Sequence, residues 1–121
     1  MAKILLIEDI ADNAKLVKKA VEAKEIEFFW AENAADGLKM ALDVKPDLIL
    51  LDLGLPDVDG QTLSTWIRDE KELWNIPLIV MTAWPETTAL QMVEAYDLDG
   101  YISKPFNLKI FWDTINKFIP A

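Results

Sequence analysis

The sequence predicts an α/β domain built on a five-stranded parallel sheet with helices on both faces. Short apolar runs alternate with longer segments whose apolar residues recur at helical spacing. Some of those runs are wholly apolar, which is typical of parallel strands buried on both faces. The chain has 121 residues, of which 52% are hydrophobic, and this suits one globular core. We therefore expect residues 1–121 to form a single domain.

Five short runs are predicted to be strands. Three of them, residues 4–7, 48–51 and 77–81, are apolar throughout and should lie at the centre of the sheet. The run at 26–30 is interrupted by the charge of Glu27, and the run at 100–102 is short, so both should lie at edges. Numbered along the chain, the strands then take the order 2-1-3-4-5.

Five helices are predicted between and after these strands. Asn33 can cap the second, which ends before Pro46 because a residue preceding proline avoids the α region. Pro85 and Glu86 suit the first positions of the fourth, and Asn107 can cap the fifth. Apolar residues at helical spacing mark the third and fifth helices: Leu63, Trp66 and Ile67 in the third, and Leu108, Phe111, Ile115 and Phe118 in the fifth.

Composition excludes several classes of function. Twelve Lys+Arg against 21 Asp+Glu give a net charge of -9, which repels phosphate backbones, so we expect no nucleic-acid partner. The chain has no cysteine and no histidine, which removes disulfides, thiolate zinc sites and phosphohistidine. The apolar run near the start is too short for a signal peptide or a membrane span. We therefore expect a cytoplasmic protein without a membrane partner.

Polar side chains follow four of the predicted strands. They are Glu8 and Asp9 after the first strand, Asp52 after the third, Thr82 after the fourth and Lys104 after the fifth. In the order 2-1-3-4-5, the crevice where ligands bind lies at the carboxyl ends of the first and third strands. The three carboxylates should therefore meet there, with the hydroxyl and the ammonium group beside them.

Three carboxylates this close repel one another unless a cation compensates their charge. With no histidine or cysteine available, an all-oxygen site of this kind favours Mg²⁺. Lys104 could pair with Asp52 or with a bound phosphoryl oxygen, and Thr82 offers a hydroxyl donor to the same group. A metal ion, a cation, a hydroxyl and a carboxylate nucleophile together suit phosphoryl transfer to aspartate.

The ordered set of these residues resembles the receiver domains of bacterial two-component response regulators, of the chemotaxis-regulator type. The resemblance covers essentially all 121 residues and depends on four motifs with their spacing: Glu8-Asp9, Asp52, Thr82 and Lys104-Pro105. It implies the doubly wound, flavodoxin-like version of the fold. It also implies a phosphorylation-dependent signalling switch that receives its phosphoryl group from a histidine kinase or a phosphotransfer protein.

The resemblance further implies a role for each residue of the site. Asp52 would be the phosphoacceptor, Asp9 a direct Mg²⁺ ligand, and Glu8 the holder of a metal-bound water. The backbone carbonyl of Gly54 would be a further ligand, and Lys104 would complete the catalytic set with the threonine hydroxyl.

The resemblance also implies how the signal would leave the site. Tyr101 falls at the family's switch aromatic and would turn as Thr82 moves toward the phosphoryl group. The downstream protein target would then bind the face made by the fourth helix, the fifth strand and the fifth helix. A cis peptide bond between Lys104 and Pro105 and a phosphorylation-dependent dimer are further expectations.

Two other functions stay open. The chain could be a phosphorylation-independent scaffold with the receiver fold, or an aspartate-based phosphohydrolase. Leu53 and Gly54 disfavour the hydrolase, because such enzymes usually place a second aspartate two residues after the first. We expect self-phosphorylation and autodephosphorylation only, without turnover of external substrates. Asp57 and Asp59 are expected to serve in turns and caps rather than as ligands.

Two positions beside the site predict a long-lived phosphoryl group. Gly54 and Trp84 stand two residues beyond Asp52 and Thr82, where many receivers carry polar side chains. Glycine cannot hold a water, and an indole cannot accept a proton from one. We therefore expect slow hydrolysis of the phosphorylated aspartate.

Overall fold

A computed structural model describes residues 2–119, in which five parallel strands alternate with five helices. The strands are β1 (Lys3–Ile7), β2 (Glu27–Ala31), β3 (Leu48–Asp52), β4 (Leu78–Thr82) and β5 (Gly100–Ser103). The helices are α1 (Ala11–Glu22), α2 (Ala34–Val44), α3 (Gly60–Asp69), α4 (Glu86–Ala95) and α5 (Leu108–Ile115). The strand order is β2-β1-β3-β4-β5. Both the predicted class and the predicted order are confirmed.

The sheet is covered on both faces. One face packs against α2, α3 and α4, and Ile7 and Leu51 are among the strand residues buried on that face. The other face packs against α1 and α5, and receives Leu6 and Leu50. Every residue of β3 and β4 is buried, whereas β2 exposes Glu27, so the central and edge strands are those expected from the sequence.

Three helices begin with a side-chain cap of the expected kind. Asn33, Asp59 and Asn107 each accept the backbone N–H of the residue three positions later, at 2.8 Å in each case. Helix α4 starts at Glu86, so Pro85 is the residue before the helix rather than its first position. Within residues 2–119, no helix is long and apolar enough to cross a bilayer.

Two apolar residues that mark predicted helices face outward. Trp66 is 38% exposed and Leu108 is 60% exposed. In α3 the buried stripe is set by Leu63 and Ile67, four residues apart, and Trp66 lies about 100° around the helix from Ile67. Leu108 is the first residue of α5, whose buried residues are Phe111 and Ile115.

Candidate functional site

The carboxyl ends of β1 and β3 bring three carboxylates together. Glu8 and Asp9 follow β1, and Asp52 is the last residue of β3. One oxygen from each carboxylate lies within 4.8 Å of the other two. Glu8 and Asp52 are buried and Asp9 is exposed, so the cluster opens to solvent on one side. Three hard oxygen donors at this spacing fit a divalent cation such as Mg²⁺.

Lys104 supplies a positive charge to this cluster. Its ammonium nitrogen lies 3.1 Å from Asp52 Oδ1 and 3.7 Å from Glu8 Oε2. Its backbone N–H donates to the carbonyl of Thr82 at 2.8 Å, which extends the pairing of β4 and β5 to the site. The peptide bond between Lys104 and Pro105 is cis, as predicted.

Glu8 is the most perturbed acid of the cluster. The pKa of its carboxyl is raised from 4.5 to about 7, chiefly by burial, and the neighbouring charge of Asp52 acts in the same direction. Hydrogen bonding from Asn13 and the charge of Lys104 act in the opposite direction. In the absence of a metal ion, the cluster therefore holds a carboxyl that titrates near neutral pH.

Two residues that contact Glu8 were missed by the sequence analysis. The amide of Asn13 donates to Glu8 Oε1 at 2.7 Å, and the indole N–H of Trp30 donates to the Glu8 carbonyl at 2.7 Å. Asn13 lies in the first turn of α1, only five residues after Glu8, and this short separation could have suggested the contact. Trp30 lies on β2 opposite Leu6, and only the strand pairing brings it to the site.

The loop from Leu53 to Asp59, which follows the buried Asp52, is held at several points. Two of its own residues, Leu53 and Leu55, are buried against the core. Asp57 accepts the backbone N–H groups of Ala34 and Ala35 at 2.9 and 3.0 Å, which lowers the pKa of its carboxyl. Asp57 therefore joins this loop to the start of α2, and together with the cap at Asp59 it has the structural role expected from the sequence.

Gly54 occupies an open position beside the buried carboxylate. It is exposed, and a Cβ atom added there would meet only Asp52 Oδ2, at 3.9 Å. A side chain at this position would therefore fit without displacing the backbone and would lie next to Asp52. Gly60 differs, because a Cβ atom there would lie 2.7 Å from the side chain of Leu53 and 3.0 Å from its backbone. Its lack of a side chain lets α3 start close to β3.

The two residues of the expected switch lie on one face of the sheet. Thr82 is buried at the end of β4, and its hydroxyl oxygen accepts the backbone N–H of Trp84 at 3.0 Å. Tyr101 pairs with Val80 in the register of β4 and β5 and packs against the core that α4 covers. Because side chains alternate along a strand, Thr82 points to the same face as Val80. The Tyr101 hydroxyl donates to Glu86 at 3.1 Å, at the start of α4.

Comparison with known proteins identifies the class. The sequence model of the response regulator receiver domain matches residues 4–116. The chain belongs to this family, whose members act in phosphorylation-dependent signalling by two-component systems and interact with histidine kinases and downstream targets.

One curated relative and one solved structure illustrate the similarity in sequence and in fold. The chain is 33% identical over 116 residues to the polar-differentiation response regulator DivK of Brucella anthropi, covering 96% of this chain and 94% of that protein. Its fold matches the chemotaxis protein CheY4 of Vibrio cholerae with a TM-score of 0.92 at 22% identity, covering 98% and 99% of the two chains.

A third relative carries a metal ion. The receiver domain of the sensor histidine kinase PA1611 from Pseudomonas aeruginosa PAO1 matches with a TM-score of 0.89 at 22% identity, covering 99% of this chain and 98% of that one. That structure has a magnesium ion coordinated in its active-site cleft.

Proposed function

We propose that Asp52 is the residue that accepts the phosphoryl group, from a histidine kinase or a phosphotransfer protein. The observation that carries this assignment is the position of the Lys104 ammonium, 3.1 Å from Asp52 Oδ1 at the crevice between β1 and β3. Lys104 would stabilise negative charge on the transferred group, and the Thr82 hydroxyl would donate a hydrogen bond to it. In the structure that hydroxyl oxygen accepts the Trp84 N–H at 3.0 Å, which leaves its own hydrogen available as a donor.

We also propose that Asp9, Asp52 and the Gly54 carbonyl hold Mg²⁺, with Glu8 binding a metal-bound water. The support is the chemistry of the donors, since three carboxylate oxygens lie within 4.8 Å of one another. Bound Mg²⁺ would neutralise charge on the phosphoryl oxygens. The residues themselves supply the nucleophilic carboxylate, the fixed ammonium group and the orientation of both.

The downstream partner is proposed to bind the face of α4, β5 and α5. A surface cavity of about 450 Å³ lies there, and its lining includes Leu90, Tyr101 and Ile110. Leu90 and Ile110 are about half exposed, at 51% and 48%. Rotation of the Tyr101 ring would change this surface directly. Three expectations stay predictions. Sedimentation would test the phosphorylation-dependent dimer, cell fractionation the cytoplasmic location, and limited proteolysis the assignment of residues 1–121 to one domain.

The phosphoryl group is proposed to be long-lived. A side chain at position 54 would lie next to Asp52, and Gly54 has none with which to hold a water there. Trp84, which is 41% exposed, offers a donor but no acceptor. Neither residue can act as a base toward an attacking water.

Incubation with acetyl phosphate and Mg²⁺, followed by intact mass measurement, tests the assignment. The native chain should gain one phosphoryl group, and Asp52→Asn should gain none. Phosphorylation of Asp52→Asn to the same extent would contradict the role of Asp52. A native chain that gains no mass would favour the scaffold function, and turnover of added phosphoesters would favour the phosphohydrolase.

A further inference from the structure

The backbone of Glu8 is held at its N–H and at its carbonyl by the neighbouring edge strand. The Glu8 N–H donates to the Ala31 carbonyl at 3.0 Å, which continues the ladder between β1 and β2. The Glu8 carbonyl accepts the indole N–H of Trp30 at 2.7 Å. Beyond Ile7 the chain leaves the sheet, so a side chain replaces the strand partner that this carbonyl would otherwise have.

This contact acts on Asp9 through the backbone. The Glu8 carbonyl belongs to the planar peptide group that also contains the Asp9 nitrogen, so fixing the carbonyl fixes the direction in which the chain enters Asp9. Asp9 is exposed, and within residues 2–119 no hydrogen bond or ion pair is formed by its carboxylate. Its direction therefore depends on the backbone, in contrast to Glu8 and Asp52, whose carboxylates are held by Asn13 and Lys104.

An indole is well suited to this task. It has one N–H donor and no acceptor, so it can contact the Glu8 carbonyl only as a donor. Trp30 is partly buried and packs against the core under α1, which fixes the ring. A partner that holds a metal ligand in place typically contributes a factor of about 10–100 to metal affinity.

We propose that Trp30 is a positioning residue for the acidic cluster: its indole N–H orients the Glu8–Asp9 peptide so that the Asp9 carboxylate is directed toward Asp52 for binding a divalent cation. The proposal depends on the metal site proposed above. Trp30 lies on the edge strand β2 and reaches the site through the Glu8 carbonyl.

Calorimetric titration with Mg²⁺ tests this on three proteins. Trp30→Phe removes the donor and keeps an aromatic ring, and Trp74→Phe is the matched control because Trp74 is 60% exposed. Trp30→Phe should bind Mg²⁺ at least about tenfold more weakly than the native chain. Trp74→Phe should stay within about twofold. Equal affinities of Trp30→Phe and the native chain would overturn the proposal.

A second measurement separates positioning from packing and does not require metal. In the metal-free protein, ¹⁵N relaxation should show greater mobility of the Asp9 amide in Trp30→Phe, with the Ile49 amide unchanged. An unchanged Asp9 amide would overturn the proposal. If Trp30→Phe does not fold, benzothienylalanine at position 30 keeps the shape of the ring and lacks the N–H. A native chain that binds no Mg²⁺ would refute the metal site itself, and the relaxation data would then decide whether Trp30 orders Asp9.

Discussion

The stability of the metal-free protein should fall as the pH rises through neutrality, because Glu8 is buried in the acidic cluster. The pKa of Glu8 is raised from 4.5 to about 7 in the folded chain. The folded state therefore keeps a proton that the unfolded state has already lost, and unfolding in this range releases a proton. The stabilisation is fully present below about pH 4.5 and is lost as the pH rises through about 7.

The size of the effect follows from the pKa difference. The full difference corresponds to a free energy of unfolding on the order of 3 kcal/mol, of which about 2 kcal/mol is lost between pH 5.5 and 8.5. Other shifted groups act outside this interval. The lowered pKa values of Asp57 and Asp59 affect stability in acid, and the raised values of Tyr101 and Lys109 affect it above about pH 10.

Urea denaturation at a series of pH values, with EDTA present, measures this loss. Glu8→Gln is the control, since its amide cannot titrate, and its stability should be nearly constant over the same interval. Mg²⁺ should raise the free energy of unfolding of the native chain most strongly at pH 8.5, where Glu8 is ionised. A ligand that binds only the folded state stabilises that state. A native chain whose stability is constant between pH 5.5 and 8.5, or a Glu8→Gln variant that shows the same loss, would refute this reasoning.

Three further predictions concern the residues around the site. Lys104→Met should lower the free energy of unfolding of the metal-free protein at pH 8 by about 1–3 kcal/mol, because it leaves buried carboxylates unpaired. Urea denaturation should show a smaller loss when Mg²⁺ is present, and equal losses with and without Mg²⁺ would contradict this. Tyr101→Ala should leave phosphorylation of Asp52 intact by mass while reducing the amide shifts that phosphorylation causes in α4; loss of both together would argue against a switch. The double variant Gly54→Asn, Trp84→Glu should lose its phosphoryl group faster than the native chain in a time course of intact mass, and an unchanged decay would show that these positions do not set the lifetime.

Local signals in the sequence were sufficient for much of the fold. The wholly apolar runs identified the central strands, and Glu27 and the short run at 100–102 identified the edges. The caps at Asn33 and Asn107 were predictable because a capping side chain bonds to a backbone N–H only three residues away. Outward-facing Trp66 and Leu108 were not predictable from apolar character, because a helix buries a stripe whose width depends on what packs against it.

The pattern of residues was enough to predict that carboxylates at the ends of the first and third strands would meet, because parallel strands in this order place their carboxyl ends at one crevice. The contacts that hold those carboxylates, in contrast, come from the packing of elements that are distant in sequence. Trp30 reaches the Glu8 carbonyl only because β2 pairs with β1 in a register that sets Trp30 opposite Leu6. Asp57 reaches the start of α2 across 23 positions in sequence. Such contacts depend on strand register and on the packing of distant elements. The free energies that fix register and packing are summed over many residues, so they cannot be read from the two residues that form the contact.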